Sequence, residues 1–171
     1  MSRFVLWLDN AGDTEDLPAR IGPKLARLAE LRSAGLTVPE GFAVTADAHR
    51  LAGKSASMPE EVRSEVVAAY EELAVRCLRM NPPTAVRSSA VGEDSADASF
   101  AGAFESYLGV RGPDRVITAI QHCWASMFTP RATAHLLRHG RDHRDMPMAV
   151  GVLELVAARS SGVGFSAHPV T

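Results

Sequence analysis

Apolar positions recur along the chain with two different periods, and the period separates strands from helices. Phe4 to Leu8 is a short apolar run closed by the turn-forming Asp9-Asn10-Ala11-Gly12, which predicts a buried strand. Pro23 opens a three-to-four pattern carried by Leu25, Leu28, Ala29 and Leu31 and stopped at Gly35, a helix of about three turns with a left-handed glycine cap. Leu36 to Val44 is interrupted by Pro39 and Gly41, so it reads as an extended edge segment rather than a central strand. Ser57 and Glu60 form a capping box, with Pro59 in the first turn. The helix it predicts carries Val62, Val66, Ala69, Tyr70, Leu73, Cys77 and Met80 on one face and ends at Asn81-Pro82-Pro83.

In the second half, Thr84 to Ser89 and Phe104 to Val110 are β-prone runs separated by a loop of small and acidic residues from Ala90 to Gly102. Gly112 and Pro113 start a helix whose inner face holds Val116, Ile117, Ile120, Trp124 and Met127, and Thr129-Pro130 caps another that ends near Gly140. Met148 to Val156 is a mainly apolar run with Val150 and Val152 at its centre, as an interior strand is, and Gly162 to Val170 is its expected hairpin partner. Nothing after Thr171 is left to cover that hairpin, so the chain is expected to be cut there.

With 171 residues the chain is one domain's worth, and 46% hydrophobic against 22% charged residues is a globular composition. The formal net charge of −2 supplies no bulk field for nucleic acid. Cys77 and Cys123 make no disulfide framework and no metal spacing, and no stretch approaches the roughly 18 apolar residues of a membrane span. The expectation is a soluble, cytoplasmic protein with no nucleic-acid or membrane partner.

Candidate chemistry concentrates in Val86-Arg87-Ser88-Ser89-Ala90-Val91-Gly92-Glu93-Asp94 and Ser99-Phe100-Ala101-Gly102. A strand that delivers an arginine and hydroxyls into a loop of small residues suits phosphate, which needs a fixed guanidinium and approachable amides. The same pattern also fits Arg87 paired with Glu93 or Asp94 in a surface turn. Glu93, Asp94 and Asp97 read as loop-solvating or Arg-holding carboxylates rather than Mg²⁺ ligands. His135 and His139 stand four apart on a helix without a third ligand, and with His122 and His143 they make no metal site. Trp7, Trp124 and Phe128 sit at core spacings, and Cys123 reads as a small buried hydrophobe.

The run AVRSSAVGEDSADASFAGAFESYLGV from Ala85 to Val110 resembles the nucleotide-binding signature of the phosphoenolpyruvate synthase and pyruvate phosphate dikinase family, shared with rifampicin phosphotransferases. Further segments agree in order: Gly22-Pro23-Lys24 with Leu28 to Leu31, Ala34-Gly35-Leu36 with Val38 to Phe42, Cys123 to Ser126, and Ser161 to Phe165 with His168-Pro169. The resemblance implies an α+β fold, a mixed sheet flanked by helices, forming the ATP-grasp-like N-terminal subdomain of a nucleotide-binding domain, with residues 1–171 its first part. It implies that Lys24 and Arg87 contact ATP phosphates, with Arg87 in the catalytic role. Gly102 would lie in the phosphate-covering loop, and Ser106 and Tyr107 near the nucleotide.

Mg²⁺ would come with a second subdomain, and the remaining domains of the same enzyme, or a complementing subunit, would be partners. The activity implied is a dikinase phosphotransfer from ATP through a phosphohistidine to pyruvate or another acceptor, with this portion inactive alone. The alternative is a stand-alone nucleotide- or partner-binding module without catalysis. The chain departs from the family pattern at Pro23, where a second glycine is usual, and at Leu153, where a glutamine usually lines the pocket. It departs again at Gly164 and His168, where methionine and asparagine are usual.

Overall fold

A computed structural model describes residues 3–11, 16–53, 57–91, 105–138 and 146–164. In chain order the elements are β1 (Val5–Trp7), α1 (Leu17–Ser33), β2 (Gly41–Val44), α2 (Ala46–Ala52) and α3 (Glu60–Arg76), then β3 (Thr84–Ala90), β4 (Ser106–Val110), α4 (Pro113–Ser126), α5 (Pro130–Arg138) and β5 (Met148–Glu154). The fold is α+β, a sheet with helices on both faces, in the order β1-β2-β5-β3-β4. All four strand pairings are antiparallel, where a mixed sheet was expected.

Side chains alternate along each strand and therefore sort onto two faces. Phe42 and Val44, Met148, Val150 and Val152, and Val86 and Ala90 enter one large core with α2, α3, α4 and α5, around the fully buried Trp124, Leu73, Ile120 and Met127. Ala43, Ala149 and Leu153 point the other way into a smaller cluster with Leu17, Ile21, Leu25, Ala26 and Ala29 of α1.

Several expectations are corrected. β2 is an interior strand, not an edge, because Pro39 lies outside it and all four of its residues are buried between β1 and β5. α2 was not foreseen, since seven residues are too few to display a helical period. α3 starts at Glu60 with Pro59 at its N-cap, so Glu60 is its first residue rather than the third that a Ser57 box requires. It also ends at Arg76, five residues before Asn81. The Leu78 N–H donates to the Val75 carbonyl and the Arg79 N–H to the Ala74 carbonyl, with Leu78 at φ 49° in the left-handed cap position. Met80 is thereby 91% exposed instead of lying on the buried face. The hairpin between β5 and Gly162 to Val170 cannot form as expected, because β2 and β3 occupy the two edges of β5; residues 157–164 are not strand, and 165–171 lie outside the described residues.

Other signals act as written. α1 ends in the expected cap: Gly35, φ 83°, donates to the Arg32 carbonyl while Leu36 donates to the Leu31 carbonyl. Thr129 Oγ1 accepts from the Ala132 N–H at the start of α5. Tyr70 joins the connections around α3 and α4, its hydroxyl donating to the Pro82 carbonyl at 3.0 Å and accepting from the Gly112 N–H at 2.8 Å.

Candidate functional site

The β3 register decides which side chains share the second face. Arg87 pairs with Ser106 of β4 on one side and with Gly151 of β5 on the other, and Ala85 pairs with Leu108 and Leu153. Two rows thus cross the sheet side by side: Gly151-Arg87-Ser106, polar, and Leu153-Ala85-Leu108, apolar. α1 packs on β3 and β5. Beyond it the face is open, with Arg87 and Ser106 exposed and Leu108 69% exposed. Among the described residues Arg87 has no carboxylate partner; Glu93 and Asp94 lie outside them.

Lys24 comes to this face through a break in α1. Gly22 has φ 75° and ψ 159°, so the element is two helical runs, and Pro23 begins the second. Proline suits that first position, since its missing N–H would have had no helical acceptor and its ring presets φ. This accounts for Pro23 at a place where a glycine is usual. Lys24 is exposed in the first turn of that second run, where the helix dipole disfavours a cation. A helix N-terminus, a lysine and an arginine without a carboxylate partner among the described residues, all on one side of a sheet, suit an anion.

Gly22 also touches β3. A Cβ placed on it would stand 2.3 Å from Ser89 Oγ and 2.5 Å from the Ser89 carbonyl oxygen. Ser89 is fully buried, and its hydroxyl has no hydrogen-bond partner among the described residues. A Cβ placed on Gly151 would stand 2.5 Å from a Leu25 methyl carbon. Sequence reasoning named Gly22 and Ser89 in its motifs but not their approach to each other, nor that of Leu25 to Gly151; the Gly22-Pro23 pair was the local signal of the break.

The structure brings Lys24, Arg87 and Ser106 to one side of the sheet and places Tyr107 on the other. Tyr107 pairs with Val86 and packs on the large core, with its ring 5.8 Å from that of His122. Adjacent residues of a strand cannot share a face. Gly102, Glu93, Asp94, Asp97, His139, His143 and His168 lie outside the described residues, as does the His135 side chain. Leu153 is 8% exposed, in the cluster under α1 and against Gly41.

The aromatic and cysteine readings hold. Trp124 is fully buried, Phe128 packs on the core, and Trp7 lies 5.5 Å from Phe42 with the Arg76 guanidinium over its ring at 3.7 Å. Burial pushes the Cys123 thiol up to about 12 and Cys77 to about 11, so neither is a thiolate nucleophile near neutral pH. Among the described residues no three His, Cys, Asp or Glu side chains converge to hold a metal, and no helix is long and apolar enough to cross a membrane.

Comparison with known proteins adds to this geometry. The family described as pyruvate phosphate dikinase, AMP/ATP-binding domain, matches residues 52–171. A probable phosphoenolpyruvate synthase of Staphylothermus marinus is 37% identical over 207 aligned residues, covering 99% of this chain and 24% of the relative. The phosphoenolpyruvate synthase of Aeropyrum pernix is 37% identical over 205, covering 99% and 25%, and a probable one of Methanocaldococcus jannaschii is 34% identical over 204, covering 99% and 17%. The chain spans about a quarter or less of the length of these relatives.

Proposed function

The chain belongs to the pyruvate phosphate dikinase AMP/ATP-binding domain family, and on that footing we propose that it holds ATP over the open face of β3 and β4. The observation that carries this reading is Arg87, exposed on an uncovered sheet face without a carboxylate partner among the described residues and opposite Ser106. Its planar guanidinium can reach two phosphate oxygens at once, and Lys24 adds a point charge from the first turn of the second α1 run. Ser106 offers a hydroxyl beside them, and Gly102 would close the phosphate side as part of a covering loop. The neighbouring Ala85-Leu108 row supplies an apolar surface for the base. Tyr107 supports the same strand from behind.

In a complete enzyme of this family such a site would serve a dikinase: ATP gives up its β- and γ-phosphates as AMP is formed, one becoming a phosphohistidine whose phosphoryl group passes to pyruvate or a similar acceptor and the other leaving on water as inorganic phosphate. Phosphoryl transfer depends on positioning and charge neutralisation more than on covalent help from the protein, and Arg87 and Lys24 supply both to the phosphates. Mg²⁺, the phosphohistidine and the acceptor pocket are assigned to other parts of the enzyme or to a complementing subunit. The described residues offer no converging metal ligands. We assign nucleotide binding to these 171 residues and AMP formation to the complete enzyme.

Calorimetric titration with ATP and with inorganic tripolyphosphate tests the site. Wild-type chain binds both, and Arg87→Ala or Lys24→Ala weakens each about 10- to 150-fold, the worth of a charged hydrogen bond of roughly 1.5–3 kcal/mol. Equal binding by wild type and Arg87→Ala would overturn the assignment. AMP production by the isolated chain would overturn the division of labour.

A further inference from the structure

Lys24 and Arg87 belong to different elements, 63 positions apart in sequence, and two bare backbone sites control how those elements meet. Gly22 lies against Ser89, and Leu25 lies against Gly151. Lys24 is bracketed by the first and second of these contacts along the helix. Arg87 is bracketed by the same contacts on the sheet, since it is two residues from Ser89 on the same face and is the cross-strand partner of Gly151.

Neither contact tolerates a larger residue unchanged. A Cβ at Gly22 would stand within 3 Å of Ser89 backbone atoms and would sit at φ 75°, while one at Gly151 would meet the flexible end of Leu25. The strand side is equally spare: Ser89 is small and fully buried, and among the described residues its hydroxyl has no partner. Buried polar groups without partners concentrate where a local geometry is being held for another purpose.

We propose that the Gly22–Ser89 and Leu25–Gly151 contacts form a two-point clamp that sets Lys24 at one spacing from Arg87, so that the pair reads a polyphosphate rather than an isolated anion. Gly22, Ser89 and Gly151 are positioning residues that act through Lys24. The ligand part rests on the nucleotide reading above; the clamp itself does not.

Two measurements separate them. With Cys77→Ser to leave one reactive site, a nitroxide at Lys24→Cys should broaden the amide resonances of Arg87 and Ser106 in the ligand-free chain. Gly22→Ala should weaken that broadening. Unchanged broadening in Gly22→Ala overturns the clamp whatever the chain binds. For the ligand part, tripolyphosphate and ATP affinity should fall about tenfold in Gly22→Ala, about threefold in Gly151→Ala, and by nothing further when either is combined with Lys24→Ala. Adenosine affinity should not move. Losses that add to Lys24→Ala, or that extend equally to adenosine, mark a general structural role and overturn the clamp. If Gly22→Ala does not fold, Ser89→Val presses on the same contact from the strand and carries both readouts. A wild-type chain that passes the label test but binds neither ATP nor tripolyphosphate defeats the nucleotide reading and leaves the clamp standing.

Discussion

The two faces of this sheet are built from the same strands to opposite ends. On one, Phe42, Val44, Val86, Met148, Val150 and Val152 meet four helices and the fully buried Trp124, Leu73, Ile120 and Met127. On the other, the floor is Gly41, Ala43, Ala149 and Gly151, a single helix lies close on the backbone, and Arg87, Ser106 and Leu108 stay in solvent. Large side chains fill the first face and contribute most of the buried apolar area, which drives folding. Glycine and alanine contribute little area to the second, but they let α1 approach within contact of the strand backbone. The buried core and the open, polar face are thus separated by the two-residue alternation of the strand.

That separation can be broken from the closed side with the largest effect. Trp124→Ala should lower unfolding free energy by about 3–5 kcal/mol, measured by urea denaturation, because it empties a large volume where nothing can collapse. A loss below about 1 kcal/mol would show that the closed face is not the stabilising one.

A second test uses pH. His49 is buried beneath this core, its Nδ1 accepts from the Met148 N–H at 3.3 Å, and burial, aided by Arg50, lowers its pKa from 6.5 to about 4. Between those values the unfolded chain takes up a proton that the folded chain refuses. This stability is therefore complete above pH 6.5 and is lost as pH falls to 4, on the order of 3 kcal/mol. Urea midpoints at pH 7 and pH 4.5 should show the loss in wild type and much less of it in His49→Gln.

Leu153 sharpens the comparison because it lies on the same face as Arg87 yet is covered. Leu153→Gln should cost roughly 1–3 kcal/mol, read as a drop in melting temperature, since the amide would be buried against Gly41 and the α1 cluster. A neutral result would mean that α1 leaves more of this face open than the packing indicates. The smallest effects belong to the open rows: Arg87→Ala and Leu108→Ser should each change stability by no more than about 0.5 kcal/mol. A marked loss for either would make it a structural residue.

The legible parts of the fold were those with local causes. Pro23, Gly35, Gly112-Pro113 and Thr129-Pro130 marked real helix boundaries, and the apolar run at Met148 was an interior strand. Arg87 stood out because a strand arginine beside hydroxyls and a small-residue loop is chemically unusual, and the family resemblance supplied Lys24. The misread parts had competing local causes. Pro59 displaced the Ser57 box, and Leu78 ended α3 in a conformation that usually calls for glycine. Tyr107 follows Ser106 in the same motif, and strand alternation sets the two on opposite faces, a sorting the motif does not spell out.

Periodicity and turn chemistry act over a few residues, so the chain by itself determined that it would form short strands and amphipathic helices of α+β type. Register acts over a hundred residues. Only the tertiary structure inserted β5 between β2 and β3, set Gly151 and Ser106 on either side of Arg87, and laid the Gly22 break on Ser89. No local pattern encodes those pairings, because their energy comes from burying both faces of one sheet at once, and a one-residue slip would exchange the faces.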